Sequence, residues 1–311
     1  MLADDLQLHR PWLVAVWPGM GNVGVNAGIY LLSKLEMTLA AEFEVGDLFD
    51  VDQVEVTSGI IHIGRRPRHR LFLWQDPAKK RDLLVFLGEA QPPAGKFNFC
   101  RQLIRNARQF GVERIFTFAA MATGMRPKHG SHVFVAATDE ALLHELEHHE
   151  MVVLENGNIG GLNGILLGAA AEAGLQGACL LGEMPQVFAQ LPYPKASLEI
   201  LRAFSKLTDI QLDLSELAEQ GRAMEEQLQE ILAKVEGDQE TEEQEEEEEG
   251  FASEAPEPEG PDPELAARIE QLFAAAANDS SKAFELKQEL DRLGLFFKYE
   301  DRFLDLFKKK E

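Results

Sequence analysis

Cysteine is scarce in this 311-residue chain. There are two, Cys100 and Cys179, far apart and each in apolar surroundings. Two such residues do not build a disulfide framework, and a reducing, cytoplasmic setting is the expectation. Long hydrophobic runs are also missing: none approaches the roughly 18–20 apolar residues needed to span a bilayer. The opening MLADDLQLHRPW has no basic stretch followed by an apolar one, so no secretory leader is expected. No Gly-x-Ser-x-Gly elbow, Walker loop or Cys-x-x-Cys pair occurs. Positive charge is in short supply, with 30 Lys and Arg against 53 Asp and Glu and a net charge of −23. Nucleic-acid binding is not expected, because neutralising phosphates needs a basic surface.

What is present divides the chain into four parts. Residues 1–212 alternate apolar runs with helical patterns. Strands fit Trp12–Trp17, Thr38–Glu44, Val54–Ile63, Leu71–Trp74, Leu83–Leu87, Arg114–Phe118, Val133–Ala137, Met151–Leu154 and Ala178–Leu181. Helices fit Val23–Leu35, Lys96–Phe110, Asp139–His149, Leu162–Ala173 and Lys195–Lys206. From 38 to 88 the runs read as strands without a helix, and elsewhere β and α alternate. That pattern predicts an α/β fold with a mixed sheet.

In residues 213–236 the apolar positions Leu214, Leu217, Gly221, Met224, Leu228, Ile231 and Val235 alternate in steps of three and four. This is a heptad stripe, which packs on its own domain or pairs with a second copy. Residues 237–264 carry 14 Asp and Glu and no Lys or Arg, leaving −9 for all the rest. Like charges, Pro and Gly predict a disordered linker there. Residues 265–311 turn amphipathic again and read as three short helices rich in Phe. So small a set cannot hide its apolar surface alone, so it forms a compact module or docks on the main domain or a neighbouring subunit.

The stretch WPGMGNVG, residues 17–24, has the spacing Gly-x-Gly-x-x-Gly between a strand and a helix. Gly19, Gly21 and Gly24, with Asn22 and with Glu42 eighteen residues on, fit a dinucleotide-binding turn. The run of strands that follows does not, since such a unit continues into a helix and a third parallel strand. GNIGGLNG, residues 157–164, is the stronger candidate site. Gly160 and Gly161 allow close backbone approach, Asn158 and Asn163 supply hydrogen-bonding groups, and the helix start behind them favours an anion. A purely structural tight turn remains the other reading. Glu89 and Glu183, each following a glycine near a strand end, are candidate pocket carboxylates. Arg126, Lys128, His129 and His132 in GMRPKHGSH can add positive charge or merely form a surface loop. HELEH, from His144 to His148, matches the zincin spacing with Glu145 as base. Glu147 and the polar run after it read instead as a solvated helix face, and no metal or cofactor is expected.

Five segments occur in one order: WPGMGNVG, LGEAQPP at 87–93, ENGNIGGLNGILLGAAAEAG at 155–174, CLLGEMPQV at 179–187 and PYPKASLEIL at 192–201. Together, over about residues 10–235, they resemble the proteasome assembly chaperone 2 family. The resemblance implies a phosphorylase/hydrolase-like, three-layer α/β sandwich. It also implies homo-oligomers with chaperone or scaffold roles and an unidentified protein partner, without established catalysis. It makes the glycine turn the family's first strand–helix junction. Relatives that dock on the proteasome through a C-terminal hydrophobic-Tyr-x tail differ here, because this chain ends Lys309-Lys310-Glu311. A nucleoside- or anion-binding protein or hydrolase built on the glycine loops is the alternative.

Overall fold

The computed structural model describes residues 7–43, 48–49, 54–63, 65–242 and 263–308. Among these residues ten strands run in chain order: β1 (Trp12–Val16), β2 (Thr38–Phe43), β3 (Val54–Thr57), β4 (Ile60–Ile63), β5 (His69–Trp74), β6 (Leu83–Gly88), β7 (Arg114–Thr123), β8 (Val133–Ala137), β9 (Val152–Val153) and β10 (Gln176–Pro185). Eight form one mixed sheet in the order β2-β5-β6-β1-β7-β10-β8-β9. The central strands β6, β1, β7 and β10 are parallel, whereas β5 and β8 pair antiparallel at their flanks. Helices α1 (Val23–Lys34), α2 (Lys96–Gln109), α3 (Glu140–His148), α4 (Gly161–Glu172) and α5 (Pro194–Thr208) cover both faces.

Period-two alternation explains the three layers. Along β1, Trp12, Val14 and Val16 face one core with α1, α3 and α5. Leu13, Ala15 and Trp17 face the other, with α2 and α4. A strand apolar on both sides has to be covered on both sides. Phe204 of α5 packs edge-on against Phe116 and Phe118, with ring centroids 5.5 and 5.3 Å away. Truncating such a ring to Ala costs about 3–5 kcal/mol.

The run 54–63, expected as one strand, is a hairpin. Ser58 and Gly59 both take positive φ, +53° and +78°, which turns the chain back on itself. Among the described residues it pairs within itself, apart from the main sheet.

Helix α6 (Ser215–Glu242) extends six residues into the acidic stretch. Its Leu217 and Leu228 are buried in the core that contains α5, and Ile231 is 45% exposed. Gly221 sits on Lys195 of α5, where an added Cβ would meet the Lys195 Cα at 3.4 Å. The expected disordered linker lies outside the described residues from 243 to 262.

Three further helices, α7 (Pro263–Asn278), α8 (Ala283–Arg292) and α9 (Phe296–Asp305), pack on α1 and the β2 edge. Phe284 meets Tyr30 edge-on at 4.4 Å, and Phe307 meets Phe72 at 5.9 Å. The Leu39 N–H of edge strand β2 donates to the Phe307 carbonyl at 2.7 Å, which occupies part of an otherwise open edge. Among the described residues, no helix is long and apolar enough to cross a membrane.

Candidate functional site

The glycine turn after β1 is built into the body of the fold. Gly21 takes φ +58°, and Asn22 is left-handed at φ +50° just before α1. The Gly21 N–H donates to Ala189, and the Gly21 carbonyl accepts from Tyr193, each at 3.0 Å. The turn's backbone is therefore tied to the segment after β10. A Cβ at Gly24 would lie 2.2 Å from the Phe118 carbonyl oxygen, so α1 starts in direct contact with β7. After α1 the chain enters β2 at the sheet edge, with β5 and β6 between it and β1. A dinucleotide fold would put that strand beside β1.

The second glycine loop closes over the same end of the sheet. Gly19, Gly24, Asn158, Gly160, Gly161 and Asn163 converge on a cavity of about 420 Å³. Its floor is the carboxyl end of the parallel strands, at Ala119–Ala122 of β7 and Leu181 of β10, with Trp17 after β1. The first turns of α1 and α4 border it. This is the end where α/β sheets commonly take ligands. Gln91 bridges the two loops: its Oε1 accepts the Leu162 N–H at 3.0 Å and its Nε2 donates to the Pro18 carbonyl at 3.4 Å. The sequence reading passed over Gln91, although it stands within the quoted LGEAQPP segment. A Cβ at Gly164 would meet the Ile159 carbonyl oxygen at 2.0 Å, so that glycine serves the turn itself.

Gly21, Asn22, Glu89 and Glu183 do not line this cavity. Glu89 is buried in an ionic cluster on the β5 side. It accepts from Arg70 at 2.5 Å, from Arg65 at 2.8 Å and from the Arg68 N–H at 2.8 Å. The fully buried Arg70 also pairs with Glu42 at 3.2 Å and with Asp301 of α9. Burial lowers the Arg70 pKa, but its carboxylate partners outweigh that and hold it raised. Glu300, buried beside this cluster, is pushed up to about 8, first by burial and then by the nearby Glu89 charge. Glu183 accepts from Thr123 at 2.7 Å and from the His132 N–H at 3.2 Å, with His132 Nδ1 at 2.7 Å. Burial pulls its pKa upward, yet these contacts leave the carboxyl below its usual range.

In the HELEH helix, Glu145 forms a bidentate pair with Arg114 at 2.9 and 2.8 Å. His144 Nδ1 lies 2.9 Å from Glu147, and His148 Nδ1 lies 2.6 Å from the His144 carbonyl. Among the described residues, no group of three His, Cys, Asp or Glu side chains is placed to hold a metal. The GMRPKHGSH loop is held by Lys195, whose Nζ donates to the carbonyls of Pro127 and His129 at 3.0 and 2.9 Å. Burial pushes both thiols, Cys100 and Cys179, up to about 12, which removes thiolate reactivity at neutral pH.

The surface feature the sequence reading missed is the hairpin. Its register pairs Val54 with Ile63 and Val56 with Ile61 on one face. These four side chains are 50, 77, 65 and 68% exposed, respectively. The Ser58-Gly59 pair between alternating aliphatics was the available signal.

Comparison with known proteins agrees with the fold and with the ordered motifs. The uncharacterized protein MJ1210 of Methanocaldococcus jannaschii is 24% identical over 237 residues, covering 73% of this chain and 85% of that protein. The crystal structure of Pyrococcus furiosus PbaB, an archaeal proteasome activator, superposes with a TM-score of 0.63 at 25% identity, covering 76% of this chain and 97% of PbaB. The Mycobacterium tuberculosis proteasome-assembly chaperone homologue Rv2125 superposes at 0.62 with 20% identity, covering 71% and 95%. The model of the PAC2 family matches residues 13–232, through the mixed sheet, both glycine loops and most of α6, and the chain belongs to the PAC2 family.

Proposed function

We propose that this chain is a non-catalytic, self-associating assembly-chaperone-like or scaffold protein of the cytoplasm that works by protein–protein contact. The observation that carries this is the β3–β4 hairpin, which turns a face of four β-branched aliphatic residues to solvent. A two-stranded hairpin is marginal in water on its own, and an exposed apolar face of this kind marks a contact surface. The lining of the glycine cavity points the same way. Among the described residues, the cavity is lined by no Asp, Glu, His, Lys, Arg, Cys, Ser, Thr or Tyr. It therefore offers neither an acid–base pair nor a nucleophile for group transfer. That PbaB is a proteasome activator and Rv2125 a proteasome-assembly chaperone homologue lends direction to the reading.

Sedimentation equilibrium at micromolar concentration tests it. The wild type should exceed monomer mass. The Val56→Asp/Ile61→Asp variant should have a lower average mass than the wild type with an unchanged circular dichroism spectrum. A monomeric wild type, or a variant that associates as before, contradicts the reading.

A second reading is favoured by the cavity itself. Two helix N-termini meet at the carboxyl end of the sheet, and Asn163 Oδ1 is buried without a partner among the described residues. A nucleoside- or anion-binding protein would show saturable thermal stabilisation that Asn163→Leu abolishes. At a hundredfold excess over Kd the gain is about 2.7 kcal/mol.

A further inference from the structure

Across the sheet from the C-terminal helices, α2 stands out by charge. It carries Lys96, Arg101, Arg105 and Arg108 and no acidic residue, in a chain of net −23. The three arginines follow i, i+4, i+7, so they share one face of the helix. With Asn98 they line a groove of about 420 Å³ between α2 and α4, floored by Ile104, Ala169 and Ala173. The Arg108 guanidinium donates to the Ala173 carbonyl at the end of α4, which orients it along the groove. Among the described residues, no carboxylate lies within ion-pair distance of Arg101 or Arg105. Glu172 also lines the groove and opposes an anion there, leaving the arginines in the majority.

We propose that this arginine groove binds the acidic segment of residues 243–262 from a second copy of the chain. Charge complementarity names the occupant. The segment supplies five consecutive glutamates, Glu245–Glu249, and no cation. In an extended strand alternate side chains are about 6.6–6.8 Å apart, and Arg101 and Arg105 are about 6 Å apart along the helix, so alternate glutamates match the stripe. The apolar floor suits an extended peptide backbone better than hydrated phosphate. The arginine fork suits carboxylates bidentately.

Position decides between the chain's own segment and a neighbour's. The segment leaves from Glu242 and returns at Pro263, on helices packed against the α1 and α5 layer. Helices α2 and α4 cover the opposite face. Twenty residues reach about 70 Å fully extended. In cis, that length would be spent on two passes around a three-layer body. The segment of another molecule makes no such return. A groove on one copy filled by a segment of the next is a heterologous contact, which builds rings or filaments. This deepens the self-association reading and rests on it only in naming the second copy.

The test uses the full chain and a fluorescent peptide of residues 243–262, read by anisotropy. Saturable binding is expected at about 50 mM salt, roughly tenfold weaker at about 300 mM, because exposed ion pairs are screened. Arg101→Glu/Arg105→Glu should abolish it without altering the melting temperature, since both side chains are exposed. Running the same titration in the Val56→Asp/Ile61→Asp background separates the two ideas: peptide binding should persist even where hairpin association is lost. For the second copy, Arg105→Cys with Glu247→Cys should give disulfide-linked dimers and higher oligomers on a non-reducing gel. The native Cys100 and Cys179 are buried and do not compete. Absence of peptide binding at low salt, binding indifferent to the arginine variant, or a short DNA binding as tightly as the peptide overturns the proposal. A disulfide closed within one chain, or none at all, overturns the second-copy assignment.

Discussion

Replacing Gly24 with Ala separates a glycine kept for packing from one kept for a ligand. The added Cβ would lie 2.2 Å from the Phe118 carbonyl oxygen and 3.0 Å from its carbon, both backbone atoms of the central strand β7. Neither can rotate away, so α1 must lift from the sheet. Overpacking of this kind costs about 3 kcal/mol. The better helix propensity of Ala returns up to about 1 kcal/mol, for a net loss of about 2 kcal/mol. For a domain of this size that lowers Tm by about 4–8 °C. Gly160 is the control. It also borders the cavity, its φ is −78°, and nothing lies within 4 Å of an added Cβ. Gly160→Ala should change Tm by no more than about 1–2 °C. Differential scanning calorimetry of both variants reads the difference. Equal melting temperatures would refute the claim that the first glycine turn exists to seat α1 on β7.

Other outcomes follow from the buried ionisable groups. Glu300, raised to about 8 in the folded state, holds a proton there that the unfolded chain releases near 4.5. Its contribution is full below about 4.5 and lost as pH rises through about 8, with a slope of up to about 1.4 kcal/mol per pH unit between them. Glu300→Gln should flatten the thermal stability profile between pH 5 and 8. His69 has the opposite sign. Burial among Phe49, Phe86 and Phe99 lowers it to about 4. Its contribution is full above about 6.5 and lost as pH falls through 4, so His69→Phe should reduce acid sensitivity in denaturant titrations. Glu145→Gln breaks the bidentate pair to Arg114 and should cost about 1 kcal/mol in urea unfolding, with no change in bound zinc by atomic absorption.

The sequence made the sheet legible where side chains alternate against two cores. Trp12 to Trp17 reads as a strand buried on both faces, and Val23 to Leu35 as the helix behind it. The ends of β7 and β10 were harder. Their segments AAMAT and GEMP carry few branched residues, and they extend because the two strands pair with each other over ten positions. The hairpin reads as one strand because aliphatics recur from Val54 to Ile63, and the turn between its strands is the Ser58-Gly59 pair, both at positive φ. The glycine loops were visible as loops, and their convergence on one cavity follows from β1, β7 and β10 being neighbours. Glu89 and Glu183 could not be placed that way. Their partners Arg65, Arg70, Thr123 and His132 lie 19 to 60 residues away, and only the sheet order brings them together. The docking of α7–α9 on α1 depends on contacts such as Lys287 with Asn26 at 2.7 Å, which no local pattern encodes.

The central claim is that this chain works by touching other chains through its exposed hairpin. Placing a photoreactive benzoylphenylalanine at position 61 and irradiating intact cells tests it directly. The account expects a covalent adduct to protein, with a second copy of the chain as the main product. A folded, expressed variant that yields no protein adduct on irradiation would contradict it.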